Sequence, residues 1–128
     1  MNKIVLDASA ILTIILKEPG HEKLTPELLT SAVGSTVNLA EVQTKLLLGG
    51  WTSDEAWEDA SSPFEEILPF DEEQAKLAGD LVMQTRQLGL SLGDRACLAL
   101  GMVLKAPVYT ADKTWKKLKL RVRIHVIR

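Results

Sequence analysis

The chain has only one cysteine and two histidines among its 128 residues. One cysteine excludes an internal disulfide framework, and it also excludes a zinc site built from cysteines. His21 and His125 lie far apart and match neither HxxxH nor HExxH spacing, so the sequence argues against a zinc hydrolase. The scarcity of cysteine leads us to expect a reducing, cytoplasmic location.

Long apolar runs are also missing. The apolar stretch at residues 10–16 is too short to span a membrane, and no basic region precedes a long apolar segment near the amino terminus. The apolar fraction of 46% and the charged fraction of 25% are ordinary for a globular protein. With no repeat, low-complexity tract or linker, we expect residues 1–128 to form a single domain without membrane contact.

Acidic residues are absent after Asp112. Residues 113–128 carry a formal charge of +7, which leaves −9 for residues 1–112. Such a basic segment beside an acidic pocket would suit a protein that holds a polyanion. A solvated helix face followed by a charged edge strand explains the same charges equally well.

Strand-like and helix-like runs alternate along the chain, which predicts an α/β fold with a central, mainly parallel sheet flanked by helices. The predicted strands are 3–7, 33–37, 64–70, 107–110 and 121–127. The predicted helices are 8–17, 21–30 with a restart near Pro26, 38–48, one capped by Ser53, 71–88, 91–103 and 113–118. Helix 71–88 shows an inward stripe of Ala75, Leu77, Ala78, Leu81, Val82, Thr85 and Leu88.

Four acidic residues lie where strand-like runs give way to helix-like runs: Asp7, Glu41, Asp94 and Asp112. In an open α/β sheet, ligands bind at the carboxyl ends of the strands. Carboxylates gathered there must take up protons or share a cation, and a hard divalent cation such as Mg²⁺ suits them. The pattern therefore predicts metal-dependent chemistry at a phosphate.

Each of these acids could instead be a helix cap. Asp7 and Asp112 directly precede predicted helices, while Glu41 and Asp94 stand three residues after Asn38 and Ser91, as in a capping box. Yet three of the acids lie in strongly apolar segments with only Arg95 adjacent, where an unpaired buried carboxylate would be costly. Taken together, the four favour a shared cation.

The segments VLDASAIL, VNLAEV, GLSLGDRACLAL and VYTADKTW, in that order, resemble the PIN-domain ribonucleases, and more narrowly the VapC toxins of toxin–antitoxin pairs. The resemblance runs nearly end to end and implies a PIN-like three-layer α/β/α sandwich. It implies that Asp7, Glu41, Asp94 and Asp112 form a catalytic quartet that binds Mg²⁺ or Mn²⁺. It also implies that Ser9 and Thr110 line the same pocket.

The same resemblance implies an endoribonuclease that hydrolyses RNA phosphodiester bonds, a cognate VapB-type antitoxin and a homodimer. We expect Arg95 and the basic residues Lys113, Lys116 and Lys117 to contact the RNA backbone. The sequence indicates neither the RNA target, the preferred ion nor the number of ions.

Two other functions are compatible with the pattern. A phosphoryl-transfer domain of the haloacid-dehalogenase or receiver kind also has an aspartate after its first strand, but the former needs a second aspartate where this chain has Ser9. A noncatalytic binding module could use the acids structurally. Metal-dependent RNA cleavage that disappears in Asp7→Asn would separate these alternatives from a nuclease.

Overall fold

The computed structural model describes residues 2–128. Its strands are β1 (Ile4–Leu6), β2 (Ala32–Ser35), β3 (Glu66–Leu68), β4 (Val108–Thr110) and β5 (Ile124–Val126). Its α-helices are α1 (Ala8–Leu16), α2 (Pro26–Leu29), α3 (Thr36–Leu48), α4 (Ser53–Ser61), α5 (Glu72–Asp80), α6 (Val82–Thr85) and α7 (Leu92–Leu104). Short 3₁₀ helices occupy His21–Lys23, Arg86–Leu88 and Lys113–Lys117.

The five strands form one sheet in the order β3-β2-β1-β4-β5, and every pairing is parallel. Strand β1 is central: Val5 pairs with Val33 of β2 on one side and with Val108 of β4 on the other. Because parallel strands require crossovers, helices connect them and cover the sheet. All carboxyl ends of the strands therefore meet at one edge.

Alternating side chains of β1 point into two separate hydrophobic cores. Ile4 and Leu6 belong to a core shared with α1, α3 and α4, and Val5 belongs to a core shared with α5 and α7. Since successive strand residues face opposite sides, both faces of the sheet are buried. The predicted three-layer α/β/α sandwich is confirmed.

Two predicted helix starts are wrong. Helix α3 begins at Thr36, not at residue 38, because the Ser35 hydroxyl accepts from the backbone N–H of Val37 and caps the helix there. Helix α4 is capped by Thr52 rather than by Ser53, and Glu55 completes a capping box with Thr52. The Ser35 cap lies within the segment predicted as strand 33–37, and the Thr52 cap directly precedes the predicted cap, Ser53.

The predicted helix 71–88 is interrupted at Leu81, between α5 and α6. There the carbonyl of Leu81 accepts from the backbone N–H groups of Gln84 and Thr85 and from the Thr85 hydroxyl. Such side-chain bonding competes with the regular helical ladder. The inward stripe shifts accordingly: Ala75 and Val82 are exposed, and Gln74 is buried.

The last strand is shorter than predicted, because only Ile124–Val126 pair with β4. His125 is exposed on this strand, as expected, and its ring stacks on Tyr109 with the centroids 4.7 Å apart. None of the helices within residues 2–128 has the length and apolar character needed to cross a bilayer.

Candidate active site

A cleft of about 670 Å³ lies at the carboxyl ends of β1 and β4, and all four predicted acids line it. We call it the acidic cleft; its acids are Asp7, Glu41, Asp94 and Asp112. They come from four different parts of the chain: the end of β1, the middle of α3, the start of α7 and the turn after β4. The fold therefore brings together the residues that the sequence pattern selected.

Asp7 is the most buried of the four, with 3% of its surface exposed. One carboxylate oxygen accepts from the Ser9 hydroxyl at 2.7 Å and from the Ala10 N–H at 2.8 Å, which caps α1. The other oxygen accepts from the Thr110 hydroxyl at 2.6 Å. Ser9 lines the cleft as predicted. Thr110 does not line it: its side chain is fully buried and donates to Asp7 from the protein interior.

Burial raises the pKa of Asp7 from 3.8 to about 6; the hydrogen bonds from Thr110, Ser9 and Ala10 lower it, and the charge of Asp94 raises it. Desolvation disfavours the ionised carboxylate, and a neighbouring carboxylate does the same. The protein thus maintains an acid whose ionisation is unfavourable in this environment. A perturbed carboxyl group of this kind in a cleft is typical of functional sites.

Asp94 and Asp112 cap helices and also face the cleft. The Asp94 carboxylate accepts from the Ser91 N–H at 2.9 Å, and the Ser91 hydroxyl accepts from the Asp94 N–H, which completes a capping box. Asp112 accepts from the N–H and the hydroxyl of Thr114. The capping and metal-binding interpretations are therefore compatible for these residues, since each bond involves only one carboxylate oxygen.

Glu41 is not a cap, because α3 begins five residues before it. Its carboxylate accepts from the buried Asn38 amide at 2.9 Å and lies directly against Gly93 of α7. Cys97 is fully buried beneath the cleft, and burial together with the charges of Asp7, Asp94 and Glu41 raises the pKa of its thiol well above the usual range. A neutral, inaccessible thiol is a packing group rather than a nucleophile.

The residues predicted to bind RNA do not line the acidic cleft. Lys113, Lys116 and Lys117 are exposed on the 3₁₀ helix that follows Asp112. Arg95 is half-buried and points away, with its guanidinium donating to the Ala78 carbonyl of α5 at 2.8 Å. The basic carboxy-terminal segment is also divided, since Arg121 and Arg123 line a different cavity, together with Lys3 and Lys105.

Two basic residues line the cleft: Lys45, which sequence reasoning missed, and Arg128, which belongs to the basic segment 113–128. Lys45 lies one helical turn after Glu41 on α3, a spacing that the sequence already contained. Arg128 reaches the cleft because β5 is parallel to β4 and ends at the same edge of the sheet. Its guanidinium donates to Glu18 at 3.0 Å and to the Pro19 carbonyl at 3.1 Å.

The four carboxylates offer only hard oxygen donors, which suit Mg²⁺ or Mn²⁺. Within residues 2–128, no three His, Cys, Asp or Glu side chains are close enough together to coordinate one ion. Mg²⁺ is usually bound through one or two carboxylates and keeps several waters. The donor set therefore fits such an ion if water mediates some of the contacts.

Comparison with known proteins identifies the family. The PIN domain model matches residues 4–120. Among curated proteins, no match is found.

Solved structures share the fold at low sequence identity. A chain of a toxin–antitoxin complex from Klebsiella pneumoniae is 13% identical, with a TM-score of 0.77 and 98% of each chain covered. The DNA-bound VapBC from Salmonella typhimurium is 21% identical over 100% of both chains, with a TM-score of 0.71. Mycobacterium tuberculosis VapC20, a sarcin–ricin loop-cleaving toxin, is 15% identical, with a TM-score of 0.70 and coverage of 94% of this chain and 99% of VapC20.

The family match spans most of the chain, and the parallel five-stranded sheet with hydrophobic cores on both faces is consistent with it. The chain belongs to the PIN domain family.

Proposed function

We propose that this chain is a VapC-type toxin, a metal-dependent endoribonuclease that hydrolyses RNA phosphodiester bonds at the acidic cleft. The observation that carries the proposal is the convergence of four carboxylates, from four separate elements, on one cleft of a PIN domain. Carboxylates gathered in one cleft disfavour one another's ionised form, which protonation or a shared cation would relieve. Structural likeness to VapC20, a sarcin–ricin loop-cleaving toxin, supports RNA as the substrate class.

Asp7, Glu41, Asp94 and Asp112 would hold Mg²⁺ or Mn²⁺, directly or through water. When bound, the cation would supply positive charge that polarises the scissile phosphodiester and favours ionisation of the attacking water. Ser9 and Thr110 fix the orientation of Asp7 by donating to its two oxygens. Attack by water, rather than by the 2′-hydroxyl, predicts products that carry 5′-phosphates.

Contacts with the RNA backbone would come from the cationic groups around the cleft. Lys45 and Arg128 line it directly, and we propose that Lys113, Lys116 and Lys117 lie along the path of the strand beyond Asp112. The Arg95 guanidinium donates to the Ala78 carbonyl, and the Arg128 guanidinium donates to Glu18 and to the Pro19 carbonyl, so either arginine would have to release these bonds to contact RNA. Binding through phosphates predicts that affinity falls steeply as salt concentration rises.

The activity test is incubation of the purified, antitoxin-free protein with total bacterial RNA in Mg²⁺, in Mn²⁺ and in EDTA. We expect discrete fragments with 5′-phosphates in either ion and none in EDTA. Asp7→Asn and Asp94→Asn should reduce cleavage by at least about 100-fold, since each removes a charge from the cation site.

The matched control is Asp71→Asn, because Asp71 also caps a helix, α5, but lies outside the acidic cleft. This variant should cleave RNA like the wild type. If folded wild-type protein cuts no RNA in either ion, the nuclease proposal is rejected in favour of a noncatalytic binding module.

We propose a VapB-type antitoxin as the protein partner, which the toxin–antitoxin complexes among the structural neighbours support. Apolar side chains at and near the cleft would suit an amphipathic segment of such a partner. Leu16 lines the cleft with 48% of its surface exposed, and Leu48, at the end of α3, is 85% exposed. Leu48→Glu, outside the cleft lining, should retain RNA cleavage but resist inhibition by the cognate antitoxin.

A further inference from the structure

Asn38 is a polar side chain in an otherwise apolar position between α3 and α7. It is 1% exposed and lies among the largest fully buried side chains of the protein. A buried amide is costly unless its hydrogen-bonding groups are satisfied. An apolar residue of similar shape would meet the packing requirement without that cost, so the amide needs another explanation.

The Asn38 amide nitrogen donates two hydrogen bonds. One goes to Oε1 of Glu41 at 2.9 Å, and the other goes to the backbone carbonyl of Gly93 at 3.0 Å. Both acceptors require the nitrogen at this position, which fixes the orientation of the amide. We call this pair of hydrogen bonds the Asn38 bridge; it joins a carboxylate on α3 to the residue that precedes Asp94 on α7.

The contact between Glu41 and Gly93 of α7 also restricts the position of the Glu41 carboxylate. A Cβ atom at Gly93 would lie 2.1 to 2.4 Å from the Glu41 carboxylate atoms, so only glycine leaves room for the carboxylate in this position. Glu41 is therefore held between the backbone of α7 and the Asn38 amide. A long, flexible side chain acquires one defined position at the edge of the acidic cleft.

The hydrogen-bonding groups of the Asn38 amide are not all satisfied within the protein interior. Its oxygen, Oδ1, is buried and accepts from no protein donor within the described residues. Gln74 offers an instructive comparison, because it is also buried, also donates to a backbone carbonyl, that of Pro69, and also has an unpaired amide oxygen. Gln74 belongs to α5 and does not line the cleft.

We infer that Asn38 is a positioning residue, whose bridge holds the Glu41 carboxylate and the start of α7 in the arrangement that the cation and the RNA require. The inference rests on the proposed function in so far as the cleft is a metal-dependent nuclease centre. Hydrogen-bond partners that orient ligating carboxylates commonly change metal affinity or activity by about 10- to 100-fold when they are removed. Asn38 would therefore act through Glu41 and touch neither the RNA nor the reacting atoms.

The experiment compares wild type, Asn38→Leu and the control Gln74→Leu. Mn²⁺ affinity is measured by calorimetry, and kcat and KM are measured on an RNA that the wild type cleaves. Leucine has nearly the shape of asparagine, so Asn38→Leu removes the bridge while filling the same space. We expect Mn²⁺ binding about tenfold weaker and a kcat about 10- to 100-fold lower, with KM unchanged within about twofold. Gln74→Leu should match the wild type in all three.

A double variant separates positioning from packing. If Asn38 acts only through Glu41, then Asn38→Leu should not weaken Mn²⁺ binding further in a Glu41→Ala background, which lacks the acceptor oxygen. If Asn38→Leu does not fold, Asn38→Ala removes the bridge without adding bulk, and the same outcomes apply. Wild-type Mn²⁺ affinity and kcat in the bridge variant, or equal losses in Gln74→Leu, would overturn the inference.

Failure of the proposed function would look different. If the wild type binds Mn²⁺ but cleaves no RNA, the nuclease proposal is rejected and the Asn38 bridge is judged by Mn²⁺ affinity alone. Weaker Mn²⁺ binding by Asn38→Leu than by the wild type then supports the bridge, and equal binding overturns it. A wild type that binds no Mn²⁺ overturns the bridge as well.

Discussion

Asp7 combines a structural role with a proposed catalytic one at a cost in stability. Its carboxylate caps α1 and accepts two hydroxyl hydrogen bonds, yet its burial raises its pKa to about 6. Because the pKa in the folded state lies above the ordinary value, ionisation opposes folding. This penalty is absent well below pH 4 and is complete above about pH 6, where it amounts to about 3 kcal/mol at most.

Asp7→Asn should therefore stabilise the metal-free protein at neutral pH while abolishing cleavage. Asparagine caps helices well and carries no charge to desolvate. Thermal unfolding in EDTA should show a higher Tm than wild type near pH 7.5 and no gain near pH 4. Added Mn²⁺ should raise the Tm of the wild type more than that of the variant. A variant less stable than wild type near pH 7.5 would contradict the assigned cost of burying Asp7.

Lys45 supplies a test of substrate contact at a single residue. It is exposed, lines the cleft one turn from Glu41, and forms no ion pair with any residue in the described part of the chain. Lys45→Ala should raise KM for RNA several-fold, leave kcat unchanged, and reduce the slope of log affinity against log salt by about one. Lys105→Ala, at the other cavity, is the control. A salt slope equal in both variants would exclude Lys45 as a phosphate contact.

The types of the four acids and their places relative to strands were predictable from the sequence, because Asp7 and Asp112 follow short β-rich runs directly. The sequence did not predict that an acid can both cap a helix and face the cleft, because a helix cap and a metal ligand give the same local sequence pattern. For Glu41 the cap interpretation fails because Ser35 starts α3 earlier than the sequence suggests. Arg95 was predicted to contact the RNA backbone, but its guanidinium donates to the Ala78 carbonyl of α5, because adjacent residues on a helix point in different directions.

At the level of elements, the acidic cleft depends on close approach between α3 and α7. Gly93 permits that approach because the Glu41 carboxylate occupies the place where a side chain would begin. Predicting such a contact requires knowing which helices meet, and that follows from sheet order rather than from any local pattern. The order β3-β2-β1-β4-β5 places β1 at the centre and so brings α3 and α7 to the same edge.

Gly93→Ala should reduce Mn²⁺ affinity, because a Cβ at this position would displace the flexible end of the Glu41 side chain. Gly79→Ala is the matched control: Gly79 lies in α5, and a Cβ there meets nothing within 4 Å. That substitution should stabilise the protein by up to about 1 kcal/mol through helix propensity and leave Mn²⁺ binding unchanged. Chemical denaturation and calorimetry measure both effects. Equal Mn²⁺ affinities in the two variants would show that Glu41 does not need its present position.

The interrupted helix shows where element-level prediction stopped. Residues 71–88 have a strong helical pattern, and both ends are as predicted, with the Asp71 cap and Gly89 in the left-handed region at φ 69°. The interruption depends on hydrogen bonds to the Leu81 carbonyl, which no periodicity reports. It leaves Val82 and Met83 exposed on α6.

At the scale of the whole molecule, these exposed apolar residues bear on assembly. Met83 is 68% exposed, and Leu92, at the start of α7, is 54% exposed. We propose that the chain forms a homodimer and that the exposed Met83 side chain contributes to its interface. Met83→Glu should shift the protein toward monomer in light scattering across a concentration series. Unchanged mass for Met83→Glu at every concentration would place the interface elsewhere.

The charge distribution of the molecule also differs from the simplest interpretation of the sequence. The basic segment after Asp112 does not form one surface: Arg121 and Arg123 precede β5 and line one cavity, whereas Arg128 follows β5 and lines the acidic cleft. Any path of RNA across the protein therefore uses only part of that charge. The acidic cleft remains the one place where all four predicted acids meet.

Diffraction from crystals soaked in Mn²⁺ tests most directly that these four carboxylates form one cation site. An anomalous peak within coordination distance of the Asp7 or Asp94 oxygens, with Glu41 and Asp112 contacting it directly or through water, is the predicted result. The peak should be absent from Asp7→Asn crystals soaked in the same way. No peak in the cleft of wild-type crystals, or an equal peak in the variant, would contradict a shared metal site and leave the four acids as helix caps and surface carboxylates.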